Sequence, residues 1–342
     1  RGLDPSTISA VAHPTAGGRG HCRPITLVTS GAVAAGLPAL GLTTRPDDIP
    51  GLQAAAAVGQ GLLMERYSRE LAERDLVAGQ VLLTRDVLAH REQYLHAREA
   101  LERMLSMGIV PIVNENDTVV VDELRLGDND RLAAIVAHLV AASMLVILTD
   151  TKGLYSGDPR WDSSAHLLDA VRHTDDVLDA IEAGRSGPLG SGGVATKVAA
   201  ARMAAWSGIP TVVASADEPD VVVRAVAGDA VGTWVEPRAS SLSSRKLWIA
   251  FGLPSRGRVL VDGGAARALV RDGRSLLPVG VVGVEGAFSA GDAVEIAGPD
   301  GDLVGKGRTA MDAGAVRDVM GRHSDVAGGE VIHRDELVVF AG

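Results

Sequence analysis

IVPIVNEND, residues 109–117, and GDNDRLAAIVAHLV, residues 127–140, decide how this chain is read. The apolar, β-branched run from Ile109 to Val113 reads as a buried strand. It ends at four polar side chains, Asn114, Glu115, Asn116 and Asp117. A second polar group, Gly127, Asp128, Asn129 and Asp130, stands directly before a helical run from Arg131 to Val140. In α/β sheets the crevice beyond the carboxyl ends of the strands is the usual ligand site. Carboxylates and amides gathered there suit a small zwitterion that offers an amine and a carboxylate. Either tetrapeptide alone could be an Asx-turn or a helix N-cap. Two of them at neighbouring element boundaries weaken that plainer explanation.

The same alternation extends outward from Ile25 to about Val235. Strands are expected at 25–29, 79–83, 109–113, 144–149 and 210–214, and helices at 53–72, 94–107, 129–141 and 194–206. Continuous Val/Ile/Leu strands between helices predict a three-layer α/β sandwich with a largely parallel central sheet. After Val235 the pattern changes. Residues 236–256 hold Pro237, a serine cluster and Pro254, and read as a linker. Short β-type runs at 259–261, 280–284, 293–296 and 337–340 then predict a small β-barrel-type domain over 257–342.

Composition narrows the classes. The 342 residues are enough for two domains, and with only 3% aromatic residues the core must be built from small aliphatic side chains. A formal charge of -10 argues against a general nucleic-acid or membrane-surface binder. The single cysteine, Cys22, excludes a disulfide framework and fits a reducing cytoplasm. The apolar stretch 132–149 contains His138 and Ser143, with acidic residues close on both sides, so a helix running into a strand explains it better than a membrane span. No signal peptide is recognisable. The chain begins at Arg1 rather than Met, and residues 13–24 have no apolar periodicity.

Three further segments suit an anionic ligand. Ser30 opens a small-residue turn, SGAVAAG (30–36), between a strand and a helix, where backbone N–H groups can approach an anion. Thr149 and Asp150 close another strand and can contact a nucleotide or orient a Mg²⁺ shell. Ser191, Gly192, Gly193, Val194, Ala195, Thr196 and Lys197 form a Gly-rich turn that ends in a lysine and opens a helix, an arrangement suited to phosphate. Its spacing is not that of a Walker A loop. His138, His166 and His173 lack metal-ligand spacing, and no G-x-S-x-G elbow is present.

Taken in order, TSGAVAAG (29–36), QVLLT (80–84), IVNENDT (112–118), GDNDRL (127–132), LTDTKGLYSGDPR (148–160) and GSGGVATKVAAA (190–201) resemble the glutamate 5-kinases of the amino acid kinase family. The segment from about Arg256 to Phe340 resembles the PUA domain that many bacterial members carry. The resemblance implies ATP-dependent phosphorylation of the L-glutamate side-chain carboxylate, the first step of proline synthesis. It implies Mg²⁺, feedback inhibition by proline, and homo-oligomers. Positions matching Ser30, Asp117 and Asn129 contact glutamate in that family, and those matching Thr149, Asp150 and 191–197 contact ATP. Lys197 is expected to be catalytic, with Asp130 organising the catalytic lysines.

One departure stands out. The family opens with a strand bearing a Lys-x-Gly motif, whose lysine binds ATP phosphates. Residues 1–24 contain no lysine, so the sequence is expected to be N-terminally incomplete and 1–24 to be atypical. This departure raises the alternative of an impaired or truncated kinase; the others are another amino acid kinase, acting on acetylglutamate, aspartate, carbamate or UMP, and an RNA-binding protein acting through its C-terminal domain. Residues 257–342 carry 9 basic against 13 acidic side chains, a poor electrostatic footprint for RNA.

Overall fold

The computed structural model describes residues 24–84, 87, 90–119, 128–160, 162–182, 192–239, 242–322 and 329–340. The chain divides into two compact units, residues 1–241 and 242–342. The division falls inside 236–256. That stretch holds the end of a strand, a short helix (Ser244–Leu247), a π-helical turn (Trp248–Gly252) and the start of another strand.

In the first unit β1 (Leu27–Val28), β2 (Val77–Leu83) and β3 (Ile109–Glu115) form a parallel sheet with β3 in the middle. A second sheet contains β4 (Leu145–Thr149), β5 (Ala170–Arg172), β6 (Thr211–Ser215) and β7 (Thr233–Glu236), in the order β4-β6-β7-β5. Its β4–β6 and β5–β7 pairs are parallel, and its β6–β7 pair is antiparallel. The parallel character is as expected, but the described strands assort into two sheets. β1 and β4 are edge strands of their respective sheets.

The helices in chain order are α1 (Ala32–Ala39), α2 (Ile49–Ala72), α3 (Arg91–Ser106), α4 (Asp128–Leu139), α5 (Asp176–Glu182), α6 (Gly192–Trp206) and α7 (Val221–Ala227). α4 packs against β1, β3 and β4, so one helix spans both sheets. It also packs along α6. Its buried Leu132, Ala134, Ile135, Val136 and Leu139 explain why this segment reads as apolar without being a membrane span. Among the described residues, no helix is long and apolar enough to cross a membrane.

α1 and α2 touch backbone to backbone. A Cβ on Gly36 would lie 2.0 Å from the Ala55 carbonyl oxygen, and one on Gly59 would lie 1.8 Å from that of Ala32. Only glycine permits this approach, which fixes the start of α1 against the long helix α2. α2 begins at an Asp48 cap, whose Oδ1 accepts the Gly51 N–H at 2.7 Å.

In the second unit β8 (Ser255–Val261), β9 (Val281–Gly286), β10 (Ala293–Ala297), β11 (Leu303–Arg308) and β12 (Leu337–Val339) form one sheet, ordered β12-β11-β10-β8-β9. Two helices, α8 (Gly263–Asp272) and α9 (Ala313–Val319), are capped by Asp262 and Asp312. Val259, Val261, Leu269, Leu276, Ile296, Val316 and Ile332 belong to its core. β11 escapes the sequence pattern because Gly305, Lys306 and Gly307 occupy its centre. Its glycines are required sterically: a Cβ at Gly305 would sit 2.4 Å from the Val338 carbonyl oxygen. Lys306 is buried, and its ammonium donates to the Ala250 carbonyl at 3.2 Å and to that of Leu253.

Candidate active site

The candidate site lies where the N-terminal turns of α4 and α6 meet, with α4 fastened to the carboxyl end of β3. β3 runs past its apolar residues, so Asn114 and Glu115 are still strand and are buried, at 1% and 5% exposure. Asn114 Oδ1 accepts the Glu115 backbone N–H at 2.9 Å, and Asn129 Oδ1 accepts the same N–H at 3.2 Å. Asn129, from the first turn of α4, is thereby fastened to the end of β3. With its oxygen engaged, it keeps Nδ2 as the donor for a ligand.

Asn116 and Asp117 follow in a half-buried turn. The Asn116 N–H donates to the Leu83 carbonyl at 2.8 Å, and its side-chain oxygen accepts the Thr118 hydroxyl at 2.6 Å. The first polar tetrapeptide is thus two buried strand residues followed by two half-buried ones.

Asp130 and Lys197, far apart in sequence, come together. Lys197 Nζ donates to both carboxylate oxygens of Asp130, at 3.0 and 3.1 Å, and the two side chains are only 19% and 16% exposed. The Thr196 hydroxyl lies 2.8 Å from Asp130 Oδ2 and 3.0 Å from the Gly193 carbonyl oxygen. It carries one proton and can donate to only one of them at a time. Asp130 therefore sits between a cation and a hydroxyl, and it sets where the lysine ammonium stands.

Gly192 through Lys197 are not a separate turn. They form the first turns of α6. Glycine is tolerated there because the first backbone N–H groups of a helix have no intrahelical partner, so an open, ligand-facing start forfeits little. Such N–H groups and the positive end of the helix dipole favour an anion.

Ser30 is exposed at the end of β1, and Gly31 follows with φ +96° as the N-cap of α1. Just before it, the buried Thr29 hydroxyl bonds the Tyr67 hydroxyl at 2.7 Å, which pins the end of β1 to α2. Burial pushes the Tyr67 phenol above its usual pKa, partly offset by the Thr29 bond and the nearby Arg66 charge. Thr149 is buried and Asp150 exposed at the end of β4, and they bond each other at 3.2 Å. Neither makes a side-chain hydrogen bond to the Asp130–Lys197 group among the described residues. The loop after them is tied down by Thr233, which accepts the Leu154 N–H at 2.8 Å; a Cβ on Gly153 would lie 2.6 Å from that hydroxyl. Gly127, Ser191 and residues 1–23 lie outside the described residues.

Sequence reasoning overlooked α2 as a source of functional side chains. Gln60 and Tyr67 lie on its buried face, and both bond strand-end residues, Asn114 and Thr29. The available signal was a glutamine at a position where the helical period demands an apolar residue.

The chain matches the amino acid kinase family over residues 2–215 and the PUA domain over 257–326. It is 44% identical to a glutamate 5-kinase of Burkholderia ambifaria over 350 aligned residues, covering 99% of this chain and 93% of that protein. It is 43% identical to one of a Marinomonas species at the same coverage. The chain belongs to the amino acid kinase family and, within it, to the glutamate 5-kinases.

Proposed function

We propose that the chain transfers the γ-phosphoryl group of ATP to the side-chain carboxylate of L-glutamate, giving L-glutamyl 5-phosphate and ADP. The observation that carries this reading is the Lys197–Asp130 pair at the joined helix starts, beside the amides and carboxylate at the end of β3. It supports a reading in which a cation for phosphate stands near polar groups suited to an amino acid.

The chemistry asks little covalent work of the protein. The glutamate carboxylate, with a reference pKa of about 4.3, is already ionised at neutral pH and needs no general base. Two anions must instead be brought into line, and positioning with charge neutralisation is the main route of such phosphoryl transfer. Asp117 would pair with the substrate ammonium, and the Asn129 amide would donate to a carboxylate. Ser30 and the N–H groups at the start of α1 would close the same side of the site. Lys197, held by Asp130, would stand against the transferring phosphoryl oxygens. The backbone donors of Gly192 to Thr196, with Thr149 and Asp150, would receive the rest of the nucleotide. Mg²⁺ would enter with the nucleotide and neutralise its phosphates. Among the described residues no group of three or more acidic, histidine or cysteine side chains is arranged to hold a metal ion, so phosphate oxygens and water would supply most of its ligands.

Proline as feedback inhibitor, a cytoplasmic setting and a homo-oligomer complete the reading. The exposed Val58 and Leu62, one helical turn apart on α2, favour a contact between copies. An RNA role is not part of it. The test is ATP- and Mg²⁺-dependent formation of glutamyl hydroxamate, with hydroxylamine trapping the acyl phosphate. Product is expected with L-glutamate and none with aspartate or acetylglutamate. Absence of product from a folded chain would favour an impaired family member.

A further inference from the structure

Helix α2 carries a polar side chain in the middle of its buried face. Gln60, 8% exposed, shares that face with Leu52, Ala56, Leu63 and Tyr67. Its Oε1 accepts the Asn114 Nδ2 amide at 2.8 Å.

The orientation of both amides follows from one fixed donor. The backbone N–H of Glu115 can only donate, so the Asn114 atom facing it at 2.9 Å is Oδ1. Asn114 therefore turns Nδ2 toward Gln60, and the Gln60 atom that meets it must be the oxygen. What remains is Gln60 Nε2, a buried donor with no acceptor among the described residues. A buried donor left unpaired is destabilising, and such groups are normally satisfied by a ligand or water.

This donor belongs to the amino-acid side of the site. Gln60 bonds Asn114, Asn114 bonds the Glu115 N–H, and that N–H is shared with Asn129. The network thus runs from the middle of α2 to the first turn of α4. An amide donor cannot receive an ammonium, but it suits a carboxylate, whose charge strengthens the bond.

We propose that Gln60 is a substrate-binding residue: Nε2 donates to a carboxylate oxygen of the bound amino acid, while Oε1 holds Asn114 in place. The proposal deepens the reading of the site as a glutamate site and rests on it.

The test measures glutamyl hydroxamate formation by the full chain, with KM for L-glutamate and for ATP determined separately. Two variants are compared with the unaltered chain. Gln60→Glu keeps an acceptor for Asn114 but replaces the donor by an anion, and Gln60→Met keeps the volume with neither function. The glutamate KM is expected to rise about ten- to a hundredfold, more for Gln60→Glu, the size of a lost bond to a charged group. The ATP KM should stay within about twofold, because only ground-state binding of the amino acid is touched. Should Gln60→Glu fail to fold, judged by its circular dichroism and melting, Gln60→Met decides. A folded variant whose glutamate KM stays within about twofold of the unaltered chain overturns the proposal. So does an equal rise in both KM values, which would make Gln60 merely structural. If the unaltered chain itself gives no glutamate-dependent product, the substrate reading falls and the proposal falls with it.

Discussion

Replacing Asp130 by asparagine tests whether this carboxylate works through Lys197. The side chain keeps its size but loses its charge and one of the two oxygens that receive the ammonium at 3.0 and 3.1 Å. At that separation, with an effective dielectric near 20, the charges attract by about 5 kcal/mol before desolvation is subtracted. The net value of a hydrogen bond to a charged group is about 1.5–3 kcal/mol, and both partners are less than one-fifth exposed, so solvent screening is limited. Asp130→Asn should therefore lower stability by about 2 kcal/mol, a fall of about 4–8 °C in Tm for a unit of this size.

The effect on rate should be larger. A lysine displaced by about 1 Å loses about 10²-fold in rate, and removing a transition-state donor outright costs about 10²–10³-fold. The expected kcat is thus about 10²-fold lower for Asp130→Asn and about 10²–10³-fold lower for Lys197→Met. If Asp130 acts only by placing the ammonium, the double variant should be no slower than Lys197→Met, because residues acting as a unit are not additive. Hydroxamate assays on the four proteins close the cycle. A double variant slower than Lys197→Met by the full Asp130→Asn factor would show that Asp130 acts independently, and the positioning argument would be refuted.

Other consequences can be measured alongside. Asp117→Asn should raise the glutamate KM far more than the ATP KM, and equal changes in steady-state kinetics would count against the ammonium assignment. Gly59→Ala puts a Cβ within 1.8 Å of the Ala32 carbonyl oxygen, which is backbone and cannot swing aside. Overpacking of this kind costs about 1–3 kcal/mol, and calorimetry should place this variant toward the upper end or beyond. His138 is held below its usual pKa of 6.5, first by burial and then by the Arg98 charge. The folded state therefore resists protonating it, so its contribution to stability is intact above about pH 6.5 and is lost as the pH falls through the lower folded-state value. Melting temperatures between pH 7.5 and 5 should decline, and less steeply in His138→Gln. His173, lowered by burial and then by Arg238 and Arg202, adds a slope of the same sign that remains in that variant.

Local pattern alone determined much of this protein. Apolar β-branched runs bounded by polar clusters fixed where β3 and β4 lie, and the apolar period of 129–141 located α4 to within two residues at each end. The N-terminal unit's alternation of strand and helix gave its layers, and the ordered series of short strings gave the family. These features are legible because each depends on neighbouring residues and on the fixed periods of strand and helix. Strands that depend on distant partners were missed. β11 is built on glycines that matter only because β12 and the core lie against them, and the short β5 and β7 exist through pairing with each other and with β6. The site divides in the same way. Asp130 and Lys197 could be named from the sequence, but only the packing of α4 along α6 brings them within 3.0 Å. In the sequence Gln60 showed only as a polar residue on an otherwise apolar helix face. Its meaning arises from the tertiary structure, because a backbone N–H on a distant strand sets the direction of two amides in succession and leaves one buried donor open.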